Sequence, residues 1–418
     1  MADRECFLQG ENMDAFTRPE LLSPAGDWER LEAAVQYGAD AVYLAGKLFG
    51  MRSAPANFTD EELARAAAFC HANGVKVYVT CNTVPHNEEM ERLPAYLETV
   101  AAAGADALIV SDMGVMAMAQ KYVPQLEIHI STQAGVTNYY TARVLHEMGA
   151  KRIVLAREVP LTEIAEIRRR VPAELEIEAF VHGAMCMSFS GRCLISHYLN
   201  GRDANRGACS QPCRWEYYVT EKQRPNEHFT LEENEQGSFL FNSRDMCMIE
   251  HIPELLAAGV TSLKIEGRAK SAYYVASVTS AYRRAVDFFL ENPNGRLPAD
   301  IPEETEKISH RAYSDGFYFG EEPGQTTDSG GYIRHYDVVA VCEGTENGYV
   351  RLRQRNKFRK GDTADVLQPY SAPFTLRLDE IFDESYTPIE DAPHAEMTVF
   401  LKTDHAIAQG AYLRVKRG

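Results

Sequence analysis

The residues with most chemistry to offer are cysteines. Nine occur in the 418-residue chain, and five of them, Cys186, Cys193, Cys209, Cys213 and Cys247, lie between positions 186 and 247. The first four are spaced Cys-x6-Cys-x15-Cys-x3-Cys. Thiolates gathered this way bind soft or borderline metals, either an iron–sulfur cluster or a tetrahedral zinc. Five is one more than a four-ligand site takes, so spacing alone leaves both the ligand set and the metal open. The bland competitor is five small buried hydrophobes. The text between them is rich in Gly, Arg, Ser and Asn, which suits a loop and not a core. Cys6, Cys70, Cys81 and Cys342 stand alone, and packing is the better reading for them.

Composition bounds the rest. The chain is 45% hydrophobic and 25% charged, ordinary values for a folded soluble protein. It has no apolar run long enough for a membrane span, and residues 1–20 carry charges and no apolar signal core. A cytoplasmic location is expected, where disulfides are disfavoured and clustered cysteines point to metal or redox chemistry. The net charge of −17 argues against bulk attraction to nucleic acid. One stretch runs against that total: positions 351–360 hold six basic residues, with Arg351, Arg353 and Arg355 alternating. On a strand those three share a face.

The elements that must hold these residues repeat. Gly38, Gly74, Gly104, Gly149 and Gly259 each precede a short apolar or β-branched run, as a left-handed C-cap followed by a buried strand would. Candidate strands are 21–22, 41–44, 76–79, 107–110, 127–130, 152–155, 176–181, 239–241 and 262–265, with 239–241 the weakest. Amphipathic segments at 60–73, 161–170 and 251–258 read as helices, with Asp60 beside Thr59 able to cap the first. This alternation predicts an α/β fold, a modified (β/α)8 TIM-like barrel over residues 20–292. An open doubly wound sheet is the alternative, and its dinucleotide version lacks a Gly-x-Gly-x-x-Gly turn. Residues 1–19 are expected to be flexible, 222–237 an excursion, 271–290 a helix and 293–309 a linker. Short alternating runs from 310 to 418 predict a small C-terminal antiparallel β-barrel domain. Cys186 and Cys247 then both follow strands and arrive at the active face of the barrel.

The segment from His182-Gly183-Ala184-Met185-Cys186 to Cys209-Ser210-Gln211-Pro212-Cys213-Arg214-Trp215 resembles the signature of the collagenase-like peptidases, peptidase U family 32. Glu20-Leu21-Leu22-Ser23-Pro24-Ala25-Gly26-Asp27, Asn242-Ser243-Arg244-Asp245-Met246-Cys247 and Ser262-Leu263-Lys264-Ile265-Glu266-Gly267-Arg268 agree with it. The tail, through Asn356-Lys357-Phe358-Arg359-Lys360-Gly361-Asp362, resembles the longer branch of that family, the bacterial tRNA hydroxylation proteins. The resemblance implies two conflicting activities. One is proteolysis of unknown mechanism, a hydrolase label. The other is oxygen-independent hydroxylation of a tRNA wobble uridine, with prephenate supplying the hydroxyl and a [4Fe–4S] cluster on four cysteines. The family pattern best matches Cys186, Cys193, Cys209 and Cys247, with Cys213 as the alternative ligand and zinc as the alternative metal.

The residues favour hydroxylation. There is no His-Glu-x-x-His helix and no Gly-x-Ser-x-Gly elbow. A Cys186–His182 pair is conceivable, but a metal would occupy that thiolate. A dicarboxylate donor needs cations, and Arg192, Arg202, Arg206, Arg214, Lys264 and Arg268 lie in or beside the expected active face. Asn82, Thr132, Gln133 and Arg157 follow other strands and could line the same mouth. His182 and Glu266 are the candidate catalytic groups. Arg351, Arg353, Arg355 and Lys357 would meet tRNA phosphates, with Phe358 stacking on a base. A protein partner is possible and no membrane is expected. A third reading is a scaffold whose metal site is only structural.

Overall fold

The computed structural model describes residues 16–51, 56–186, 188–215, 219–221, 224–229, 243–321 and 332–417. Eight parallel strands form its centre: β1 (Glu20–Pro24), β2 (Ala41–Leu44), β3 (Lys76–Cys81), β4 (Ala107–Val110), β5 (Glu127–Ile130), β6 (Arg152–Val154), β7 (Glu176–Ala184) and β8 (Ser262–Ile265). β8 pairs with both β7 and β1, so the sheet closes on itself and the open-sheet alternative falls. The weakest candidate strand, 239–241, lies outside the described residues. Alternation sets the two faces. Leu22, Ala41, Tyr43, Tyr78, Ala107 and Ile109 pack together inside the ring. Their neighbours Leu21, Val42, Leu44, Val77, Leu108 and Val110 join the larger core under the helices.

The five glycines foreseen at helix ends all have φ between +72° and +101°, a region that a side chain would strain. Helices Asp60–Ala72 and Leu161–Arg170 form where expected. The cap of the first is Thr59 and not Asp60: its hydroxyl accepts from Glu62 N while Thr59 N donates to Glu62 Oε2. That reciprocal pair satisfies two free helix-end groups, a cap worth about 1 kcal/mol. The helix expected at 251–258 is Ile252–Ala257, preceded by a 3-10 turn. The helix expected at 271–290 is Ala272–Glu291, capped by Ser271.

Two departures matter for the site. The expected linker contains a helix, Asp300–Glu306. Its buried Glu304 accepts from Arg414 Nη2 at 2.6 Å, which ties the tail to the barrel. Beyond the barrel ring, the strand Asp245–Cys247 runs antiparallel to β7 and parallel to Tyr313–Ser314. The buried pair Arg311–Asp245 at 2.7 Å fastens it there. Of the foreseen excursion, 224–229 pairs antiparallel with 219–221.

The tail is a seven-stranded antiparallel sheet built on Tyr336–Glu346, Tyr349–Gln354, Thr363–Leu367, Phe374–Arg377, Ile381–Phe382, Thr398–Leu401 and Tyr412–Lys416. It encloses its own core around Val350, Leu352, Val366, Leu401 and Leu413. Among the described residues no helix is long and apolar enough to cross a membrane.

Candidate functional site

The carboxyl ends of the barrel strands open on two adjoining spaces that share Arg157, Cys186, Gly191 and Glu266. This is the end of a parallel barrel where loops assemble active sites. The inner space, about 80 Å³, is the barrel mouth. Asn82, Thr132, Gln133 and Arg157 all line it, as do Lys264 and Arg268.

The mouth is rich in cations with uneven satisfaction. Lys264 Nζ donates to Glu178 Oε1 at 2.6 Å and sits 4.6 Å from the Tyr43 ring, so it is held. Burial works to raise the Glu178 carboxyl, but Lys264 and Arg152 outweigh it and hold the group near 2. Arg268 is buried and donates to Thr80 Oγ1 at 3.0 Å. Arg157 stacks on Phe180 at 4.0 Å and donates from Nη1 to the Ala184 carbonyl at 3.1 Å. Its side chain is only 10% exposed and lies 3.8 Å from Glu266 Oε2. Its buried Nε has no hydrogen-bond partner among the described residues, and neither does Gln133 Oε1. A buried donor left unpaired costs about 1–3 kcal/mol. The mouth therefore presents an unmet donor on a cation and an unmet acceptor.

The outer space, about 770 Å³, lies between the mouth, the cysteine loop and the tail. Cys186, Cys193, Cys209 and Cys213 line it, facing Tyr332, Arg334 and Asn356 of the tail. Cys193 Sγ accepts from Ile195 N at 3.4 Å, and Cys209 Sγ accepts from Gln211 N at 3.4 Å. Such N–H···S bonds stabilise thiolate and tune Fe–S clusters. Cys186 Sγ is 3.0 Å from Ser188 Oγ. The loop is pinned at Ser190, whose N and Oγ both donate to Glu158, at 2.8 and 2.7 Å. Among the described residues no three metal-ligating side chains are gathered tightly enough to hold an ion. The donor set suits a thiolate-bound metal, but its four sulfurs share a cavity without converging.

Cys247 lies elsewhere. Its strand returns antiparallel along β7, which sets Cys247 opposite His182 and not beside Cys186. It lines a separate pocket with Thr305 and Tyr313, its Sγ 3.9 Å from the Tyr282 and Thr305 hydroxyls. Burial pushes this thiol up to about 11. The ligand set with Cys247 is thus not brought together here, whereas Cys213 shares the cavity of the other three.

Other expectations shift as well. His182 is 2% exposed and ringed by Tyr274, Tyr282 and Tyr313, away from both spaces. Burial pushes its imidazole down to about 3, so it is neutral and enclosed. Glu266 lines both spaces and accepts from the Tyr43 hydroxyl at 3.3 Å. Arg192, Arg202 and Arg206 are exposed on the loop and line neither space, with Arg206 paired to Glu89 at 3.0 Å. In the tail, Arg351 pairs with Glu343 at 3.1 Å and Arg353 with the same carboxylate at 2.6 Å. Arg355 bridges Glu396 and Glu29 at 2.8 and 2.9 Å, and Lys357 meets Asp391 at 2.8 Å. Phe358 is 1% exposed in the tail core and is not available to a base. Tyr332, Arg334 and Asn356 were not foreseen at the cavity, because no local spacing says where the tail folds back.

Comparison with known proteins bears on this arrangement. A protein of Bacillus subtilis named tRNA hydroxylation protein P1 is 38% identical, covering 95% of this chain and 94% of its own. The 23S rRNA 5-hydroxycytidine C2501 synthase of Escherichia coli is 38% identical over 72% of this chain and 45% of its own. A collagenase of Porphyromonas gingivalis is 33% identical over 74% and 75%. The model of peptidase family U32 matches residues 26–328, and that of the family's C-terminal domain matches 334–414. The chain belongs to peptidase family U32.

Proposed function

We propose that this chain is an RNA-modifying enzyme that hydroxylates the wobble uridine of tRNA, with prephenate as the source of the hydroxyl. The observation that carries the reading is the mouth: a partly unpaired buried arginine and an unmet amide acceptor, next to a cavity lined by four thiols. The names of the Bacillus and Escherichia relatives support the RNA half. Arg157 and Arg268 are the carboxylate-binding groups, since guanidinium forks match a carboxylate bidentately. Gln133 Oε1 accepts from the donor's hydroxyl. Glu266, open to both spaces, holds or moves a proton between them.

Cys186, Cys193 and Cys209 would hold a [4Fe–4S] cluster. Cys213 is the fourth ligand that their shared cavity favours, and Cys247 requires its strand to leave β7. When bound, such a cluster supplies one-electron chemistry. Protein purified without oxygen should be brown and contain iron and sulfide. Cys213→Ser should lose that colour and Cys247→Ser keep it, and the reverse pattern would restore the Cys247 set. Colourless protein with stoichiometric zinc overturns the cluster. Undermodified tRNA incubated with the brown protein and prephenate should gain 5-hydroxyuridine.

Proteolysis loses its one conceivable Cys–His pair, because the His182 ring is enclosed away from Cys186. Metal-free protein that cleaves gelatin, with loss on Cys186→Ala, would reinstate it.

A further inference from the structure

We infer that the outer face of the cysteine loop, residues 188–215, is a contact surface for single-stranded RNA. Tyr198, Phe189 and Trp215 act as stacking platforms and Arg192 and Arg202 as phosphate contacts. The inference rests on the RNA reading above and moves the contact from the tail strand to the loop.

Three observations carry it. First, of the fourteen large hydrophobic side chains exposed among the described residues, five lie on this loop: Phe189, Leu194, Tyr198, Leu199 and Trp215. Tyr198 is 82% exposed. Aromatic rings held in water gain little from folding, whereas an unpaired base stacks on any of them.

Second, the local charge opposes that of the whole. Positions 188–215 hold four arginines and one acid, Asp203, in a chain of net charge −17, and of the four Arg206 is paired with Glu89 from outside the loop at 3.0 Å. The Asp203 carboxylate is spent on Asn205 N, at 2.8 Å. Among the described residues neither Arg192 nor Arg202 makes an ion pair. The tail strand differs: Arg351, Arg353, Arg355 and Lys357 each face a carboxylate. A polyanion reaching the strand must first displace those acids, and one reaching the loop meets Arg192 and Arg202, which face no carboxylate, Arg202 donating from Nε to the Ala208 carbonyl at 3.0 Å. The same charge argues for RNA over an acidic-surfaced protein only together with the rings, which are suited to bases.

Third, the surface is built rather than slack, and its other side is the site. The helix Ile195–Asn200 is tied to the next turn by Ser196 and Asn200, whose side chains reach Ser210 Oγ at 2.9 and 2.7 Å. The loop is fixed to the barrel through Val84 N and Asn205 O at 3.2 Å. Its inner side supplies Cys193, Ile195, Ala204 and Cys209 to the large cavity. A strand stacked outside is therefore one loop thickness from the thiols.

The test is binding of the full-length protein to a labelled RNA stem-loop with an unpaired loop, against a blunt duplex of equal charge. The Tyr198→Ala, Trp215→Ala double variant should weaken stem-loop binding about 10-fold or more. It should leave duplex binding and the thermal melt unchanged. Arg202→Glu should weaken both RNAs and lower the salt dependence. Tyr198→Trp, which keeps a ring, should bind like the wild type. Arg353→Glu should change binding less than about 3-fold. Unchanged stem-loop binding in the double variant, with loss in Arg353→Glu, overturns the loop and returns the contact to the strand. Wild-type protein that binds neither RNA overturns the RNA reading itself.

Discussion

Two arginines on one strand–loop unit do opposite things at the two ends of the barrel. Arg152 opens β6 at the amino end. It reaches Glu20 at 2.5 Å and Glu178 at 3.0 Å, and its Nε donates to Glu176 at 2.7 Å. Burial opposes its charge, but Glu178 and Glu20 raise it well above the ordinary guanidinium range. Nearby His129 is buried with its Nε2 3.7 Å from Glu127, and burial lowers its pKa. Arg157 follows the same strand at the carboxyl end and keeps an unpaired Nε beside Gln133. The difference teaches how to sort buried charge. Of this pair, the cation whose hydrogen bonds are all met ties the amino end of the barrel together, and the one left partly unmet lines the mouth at the carboxyl end.

That contrast is open to direct attack. Arg152→Ala leaves Glu178 and Glu20 short of a partner and should destabilise the fold by about 3–5 kcal/mol in chemical denaturation. Arg157→Ala should cost no more than about 1 kcal/mol by the same measurement. Equal losses would erase the distinction. Prephenate binding by calorimetry should reverse the order. Arg157→Ala should lose about 10- to 100-fold, or about 1.4–3 kcal/mol, from one charge-assisted bond set.

The pH dependence sharpens it. Glu178 sits near 2 in the fold against an ordinary 4.5, so its contribution is present above about 4.5 and lost as pH falls towards 2. His182 sits near 3 against 6.5, and an unfolded chain binds that proton first. Stability should therefore fall from pH 6.5 towards 3, by up to about 1.4 kcal/mol per pH unit from this one group. His182→Phe should flatten that slope, and an unchanged slope would show that the ring is not buried neutral. The smallest effect belongs to the tail strand. Arg353→Ala should shift stability by less than about 1 kcal/mol, because exposed ion pairs contribute little.

Much of this was legible beforehand, and what was not has a common cause. The strands declared themselves by short apolar runs after glycine, and the loop by cysteines set among Gly, Arg and Asn. The mouth followed, since Asn82, Thr132, Gln133 and Arg157 each come after a strand. What failed were long-range pairings. Cys247 could be placed after a strand, but nothing local says that its segment turns back along β7. The acids facing Arg351, Arg353 and Arg355 come from Glu343, Glu396 and Glu29, so the run looked bare in sequence and is neutralised in the fold. Phe358 was judged by the charges around it, and its partners Leu352 and Ala392 lie on other strands of the tail.

Nucleoside mass spectrometry of tRNA addresses the function most directly. A strain lacking this gene and any second copy should lose 5-hydroxyuridine and the nucleosides built on it. The wild-type gene should restore them, and Cys186→Ser or Arg157→Ala should not. Full levels of those nucleosides in the deletion strain would contradict the assignment of RNA hydroxylation to this chain.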